Sequence, residues 1–116
     1  MRRRYRLHLN SDFQRLREKG QVKRHPDLMI SYLPNELIHN RYGFITVKRL
    51  GNAVKRNRVR RLIRESVRLL HPHSEQGYDV IFIARPSIVG KPFHQVQRIV
   101  NDLCRRAGLV TKEQNQ

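Results

Sequence analysis

Apolar positions along the chain switch between two periods, and the switches mark its elements. After a basic arm at residues 1–8, Phe13 and Leu16 share one face of a short helix. Its start is expected at Asn10-Ser11-Asp12, with Ser11 and Gln14 spaced as a capping box, and Gly20 is placed to end it. Residues 21–23 predict a short strand, broken at His25-Pro26. Residues 28–33 predict a full strand with Leu28, Ile30 and Tyr32 on one face. A loop over 34–40 leads to a second full strand at 42–47, expected as the hairpin partner of 28–33. The period then becomes helical: Val59, Leu62, Ile63, Ser66, Val67 and Leu70 follow three–four spacing until His71-Pro72 stops the helix. Residues 78–84 are the clearest strand, closed by Arg85-Pro86. Pro92 is expected as the first residue of a last helix whose buried face carries Phe93, Val96, Ile99, Val100, Leu103 and Ala107, with Gly108 at its end. The tail from Thr111 is polar and expected to fray. The order α-β-β-β-α-β-α implies one α+β domain over residues 1–116, a sheet with helices packed on it.

Charge changes what this domain is for. Lys and Arg number 25 against 9 Asp and Glu, a formal net charge of +16. Such self-repulsion costs stability and calls for a polyanionic partner. A membrane surface would qualify, but no apolar stretch is long enough to span a bilayer, so nucleic acid is the better match. The basic N-terminus is followed by no apolar run and does not read as a secretory signal, which makes the cytoplasm the expected compartment. Cys104 is the only cysteine, so it forms no internal disulfide; it lies at the edge of the last helix's apolar stripe and reads as a small core residue.

The middle helix concentrates that charge. At 100° per residue with Arg56 at zero, Arg60, Arg64, Arg68 and Arg61 fall at about 40°, 80°, 120° and 140°, and Asn57 at about 100°. Apolar residues take the opposite arc, from Leu69 at about 220° through Val59 and Ile63 to Val67 at about 20°. Glu65 is the only acidic residue between Lys48 and Arg68, so the helix forgoes the i,i+4 pairs of an ordinary solvated face. Guanidinium groups engage phosphate oxygens bidentately and stack on bases. Asn57 both donates and accepts, which suits a base edge or a 2′-hydroxyl.

The run from Gly51 to Glu65, GNAVKRNRVRRLIRE, resembles the signature of the protein subunit of bacterial ribonuclease P. Arg56-Asn57-Arg58 followed by Arg61 and Arg64 carries the likeness. It extends to Arg6-Leu7, the helix start at Asp12-Phe13, Thr46-Val47-Lys48-Arg49 and Tyr78-Asp79-Val80. The resemblance implies a ribonucleoprotein that removes the 5′ leader of precursor tRNA, with the chemistry carried by an RNA subunit and its Mg²⁺ and no catalytic side chain in the protein. It implies that Arg56, Asn57, Arg58, Arg60, Arg61, Arg64 and Arg68, with Lys48 and Arg49, bind the catalytic RNA. It further implies a leader-binding cleft between the first helix and the open face of the sheet. Phe13 matches a family aromatic there, Arg17 replaces a second one, and a third aligns with Ser31 or, after a one-residue slip, with Tyr32. The implied fold has a mixed central sheet and a left-handed βαβ crossover through the basic helix, as in a domain of a small-subunit ribosomal protein. The expected partners are the RNA subunit and precursor tRNA, with the free protein a monomer.

Two other readings stay open on the residues alone: a ribosomal type of RNA-binding module, and a nuclease acting by itself. His8, His25, His39, His71, His73 and His94 lack metal-site spacing, and Asp12, Asp79 and Asp102 are isolated along the chain. Gly51-Asn52 does not open a phosphate-binding loop of the G-x-x-x-x-G-K type. Phe44 and Phe82 read as core.

Overall fold

A computed structural model describes residues 2–7 and 9–110; His8 and the tail expected to fray lie outside the described residues. The main elements are α1 (Asn10–Lys19), β1 (Gln21–His25), β2 (Leu28–Pro34), β3 (Arg41–Ile45), α2 (Ala53–Leu70), β4 (Tyr78–Ala84) and α3 (Phe93–Arg106). The order matches the expected one. The four strands form one mixed sheet in the order β1-β2-β4-β3.

β4 is central because it is apolar on both faces. Val80, Phe82 and Ala84 point one way and Ile81 the other, all buried, and a strand covered on both sides reads as a near-continuous apolar run. This overturns the expected hairpin between 28–33 and 42–47. β2 pairs antiparallel with β1 and with β4, and β3 pairs parallel with the far side of β4. The loop after β2 is instead tied to the segment preceding β4. Asn35 donates its backbone N–H to the Gly77 carbonyl at 2.8 Å, and Asn40 Nδ2 donates to the Glu75 carbonyl at 2.7 Å. Tyr78 N–H donates to Asn40 Oδ1 at 2.8 Å. A parallel pair needs a long crossover, and α2 supplies it.

The larger core lies between α2, α3 and the sheet face bearing Leu28, Ile30, Tyr32, Tyr42, Val80 and Phe82. Phe44 stacks on Phe82 with ring centroids 5.8 Å apart. The other face carries α1, seated by fully buried Leu16 against Leu7 and Ile81. Two helix boundaries differ from expectation. α1 begins with Leu9 at the cap, an apolar residue with no side-chain acceptor, which places Ser11 inside the helix; Gln14 donates to Glu18, and the capping box does not form. Pro92 is the cap residue of α3 rather than its first turn, a one-residue shift. Gly20 does end α1, in extended backbone; what requires glycine there is space. A Cβ on it would sit 2.2 Å from Ser31 Oγ and 2.4 Å from the Leu16 carbonyl oxygen.

Asp79 locks α1 to the sheet. Its side chain is fully buried, and Arg41 grips it bidentately, Nε to Oδ1 at 2.9 Å and Nη2 to Oδ2 at 2.8 Å. Arg15 of α1 reaches Oδ2 at 2.8 Å, and Asn35 Nδ2 donates to Oδ1 at 2.9 Å. Hydrogen bonding to Asp79 raises the Arg41 pKa further, against the effect of burial. Breaking a buried pair leaves a partner uncompensated. Asp79→Ala is therefore expected to cost ~3 kcal/mol and about 10 °C or more in thermal midpoint. Asp102→Ala, which removes an exposed pair with Arg106 at 3.7 Å, should cost under ~0.5 kcal/mol in the same denaturation experiment.

Candidate nucleic-acid interface

α2 is launched by Asn52, whose Oδ1 accepts from the Lys55 N–H at 3.0 Å. Val59, Ile63, Ser66 and Val67 form its buried seam, and the Ser66 hydroxyl is satisfied by donating to the Leu62 carbonyl at 2.9 Å. The basic arc divides as helical geometry requires. Arg56, Arg60 and Arg64, nearest the seam, are half-buried, whereas Asn57, Arg58, Arg61 and Arg68 are exposed. Leu69 departs from expectation: at the far edge of the apolar arc it is 42% exposed. Lys48 and Arg49 lie exposed in a 3-10 turn (Lys48–Leu50) just before the helix.

The half-buried arginines are aimed by neighbours. Arg60 donates to Asn57 Oδ1 at 2.8 Å and to the Thr46 hydroxyl just beyond β3. Asn57 thereby has its oxygen engaged, while its amide hydrogens have no protein partner among the described residues. Arg56 reaches the Gly51 carbonyl at 3.4 Å, and Arg68 pairs with Glu65 one turn earlier. Arg64 is different. Its guanidinium lies 5.8 Å from the centre of the Phe44 ring, and its Nε is buried without a partner. Burial, then Arg6 and Arg60 nearby, lower its pKa. A half-buried guanidinium among like charges is a costly arrangement, and an anion bound on this face would relieve the repulsion. Asn57, Arg58, Arg60, Arg61 and Arg64 line a shallow depression of about 540 Å³ with Val54 at its rim. Val54 is 77% exposed, an apolar contact within a basic face that the helical pattern did not single out.

A second surface lies on the opposite face of the sheet, beside α1. Phe13 is half-buried, and its ring rests over Gly43 of β3. A Cβ on Gly43 would lie 2.6 and 2.7 Å from two Phe13 ring carbons, so glycine there is what lets the ring lie down. Leu33, Ile45 and Ile83 continue a partly open apolar strip, and Val47 beyond it is 40% exposed. Arg17, one helical turn after Phe13, is exposed. Tyr32 does not join them. It is 6% exposed on the α2–α3 side and hydrogen bonds to Gln21 at 3.2 Å. Ser31 holds the α1 side instead, its hydroxyl donating to the Leu16 carbonyl at 2.8 Å. Strand alternation forces this choice, so Tyr32, expected at the leader-binding cleft, lies on the opposite face of the sheet.

The remaining candidates are accounted for by packing. Burial pushes the Cys104 thiol up to about 12, as befits an inert core thiol. Asp12 and Asp79, distant in sequence, converge on Arg41, at 3.6 and 2.8 Å. Guanidinium groups occupy the position a divalent cation would need, so this carboxylate pair does not fit Mg²⁺. Among the described residues no cluster of three or more His, Cys, Asp or Glu could hold a metal ion. No described helix is long and apolar enough to cross a membrane.

A basic helix face thus lies on one side of the sheet and an apolar strip carrying Phe13 on the other. The family profile described as Ribonuclease P matches residues 1–108. The chain belongs to the ribonuclease P protein family. The ribonuclease P protein component of Roseiflexus castenholzii is 46% identical over 111 residues, covering 95% of this chain and 91% of that protein. That of Chloroflexus aurantiacus is 40% identical over 117 residues, covering 100% and 87%. The solved ribonuclease P protein of Staphylococcus aureus superposes with a TM-score of 0.86 at 32% identity, over 92% of this chain and 98% of that one. Coverage this complete takes in both surfaces as well as the core.

The geometry predicts how a structured RNA on the α2 face responds to salt. Each neutralised phosphate contributes about 0.7–0.9 to the slope of log affinity against log salt. Arg61→Ala and Arg64→Ala should each make that slope shallower by about one unit. Arg106, already engaged with Asp102 and with the Arg24 carbonyl on the α3 side, should leave it unchanged when replaced by Ala. Affinity titrations across a salt series check this; equal effects at all three positions would mean a diffuse field rather than a docking face.

Proposed function

We propose that this protein component of ribonuclease P docks on the RNA subunit through α2 and lays the 5′ leader of precursor tRNA along α1. The observation that carries the reading is Arg64: a half-buried guanidinium lining the surface depression, flanked by Arg60 and Arg61 on a face almost empty of carboxylates. Arg58, Arg61 and Arg64 take phosphates, with Lys48 and Arg49 extending the basic surface. Arg56 and Arg60 keep their protein partners and add field, while Arg68, bound to Glu65 through Nε and Nη2, has its other Nη left for a phosphate. Asn57 offers its amide hydrogens to a base edge or 2′-hydroxyl. Mg²⁺ is held by the RNA subunit and supplies the charge for phosphodiester cleavage. The protein's residues bind, orient and neutralise. The free protein is a monomer that works in the cytoplasm.

The leader lies on the side of the sheet away from α2, against Phe13 and the strip formed by Ile45, Val47 and Ile83. Single strands bind this way by stacking on aromatic rings with backbone contact to cations, and Arg17 stands where a phosphate would follow Phe13. Phe13→Leu keeps apolar volume over Gly43 and should leave the thermal midpoint within a few degrees. The holoenzyme's affinity for precursor tRNA should fall by about 1 kcal/mol or more, with its affinity for mature tRNA unchanged. Equal weakening of both tRNAs, together with a lowered midpoint, would instead make Phe13 a core residue.

A further inference from the structure

Beyond the arginine face, α2 ends at a small pocket of about 200 Å³ lined by Arg2, Tyr5, Tyr42, Arg68 and His71. Its walls are aromatic. The Tyr5 ring lies 4.8 Å from the His71 ring and 5.5 Å from that of His39. Tyr42 meets His71 edge-on at 5.6 Å. His71 is fixed in place by a 2.8 Å hydrogen bond between its Nδ1 and the Tyr42 hydroxyl. Its pKa is lowered by burial and by His39, which favours a neutral ring at pH 7. The Arg4 guanidinium lies 4.9 Å from the Tyr5 ring centre and donates to the Tyr5 hydroxyl at 2.8 Å. Arg2 and Arg68 stand at the rim, Arg68 with its Nε and Nη2 already bound to Glu65.

Aromatic walls with guanidinium groups at the mouth match one ligand chemistry, a planar base attached to a phosphate. The pocket lies on the α2 side of the sheet, since Tyr5 packs against the core shared by α2, α3 and Tyr42. It therefore lies away from the α1 strip. Arg68 follows Arg64 by one helical turn, so a phosphate backbone tracking Arg61 and Arg64 is led to the pocket mouth. We propose that this pocket receives one unpaired nucleobase of the RNA subunit, stacked against Tyr5 and His71, with its phosphates on Arg2 and Arg68. The inference rests on docking of that RNA along α2, and it adds a base-binding subsite to what is otherwise a backbone contact.

The chain has no tryptophan, so Tyr5→Trp introduces a single fluorophore at the site. The full-length variant is titrated with the RNA subunit, and binding is followed separately by sedimentation. The expected result is strong quenching of Trp emission at saturation, with loss of access to acrylamide. Adding Arg61→Ala should demand more RNA to reach the same quenched end-point, which separates the subsite from the docking face. Tyr5→Leu, which keeps the core contact but removes the ring, should weaken RNA binding by about fivefold or more without lowering the thermal midpoint, and Tyr5→Phe should restore it. RNA bound by sedimentation with unchanged Trp emission would overturn the subsite while leaving docking intact. So would an affinity unaffected by Tyr5→Leu. Quenching that appears only when precursor tRNA is added would place the base on the substrate and overturn the assignment to the RNA subunit. Failure of the wild-type chain to bind the RNA at all would overturn the docking reading, and this inference with it.

Discussion

β3 and β4 run parallel, and a parallel pair cannot be closed by a tight turn, so an 18-residue helix has to travel back along one face of the sheet between them. Both candidate surfaces follow from that constraint. α2 must bury one side on the sheet, and its other side is left to solvent along the edge where β3 lies. Because side chains alternate along β3, Tyr42 and Phe44 support α2 while Gly43 and Ile45 floor the strip beneath α1. One edge strand thus serves two surfaces, and residues one position apart in sequence belong to different surfaces.

The distribution of the few carboxylates matters as much as the excess of arginine. Asp79 and Asp12 are spent under α1, where they neutralise Arg15 and Arg41 and fix the helix that carries Phe13 and Arg17. Glu65 is the only acid on α2, and it pairs with Arg68 near the C-terminal end. The stretch from Arg56 to Arg64 is left without acidic partners. Mutual repulsion there costs stability in the free protein, and a bound polyanion returns it. Arg64 shows the cost most plainly, since its Nε is already removed from water and unmatched.

Much of this was legible in the sequence. The helices announced themselves through three–four spacing, and the basic face of α2 needed only the helical repeat and a glance at where the acids are missing. Strand pairing was not legible. Adjacency in sequence favoured a hairpin between β2 and β3, and only the two-sided apolar character of β4 could have argued that it inserts between them. Tyr32 illustrates the same limit at one residue: an aromatic in a strand names no face until its partners Val80 and Gln21 are known. Asp79 reads in the sequence only as an isolated acid, and nothing there tells which two of 25 Lys and Arg residues meet it. The role of Gly43 is purely three-dimensional, because it depends on a ring carried by another element.

The central claim is that the two faces of the sheet hold two different RNAs. The chain's one cysteine, Cys104, is buried with its thiol pKa near 12, so a cysteine introduced on the surface can be labelled alone. Arg17→Cys and Arg61→Cys place an iron chelate beside α1 and on the α2 face, respectively, and hydroxyl radicals released in the assembled holoenzyme with precursor tRNA cut whatever strand lies near. The account predicts cleavage of the leader from position 17 and of the RNA subunit, with the leader spared, from position 61. Cleavage of the same strand at the same nucleotides from both positions would contradict it.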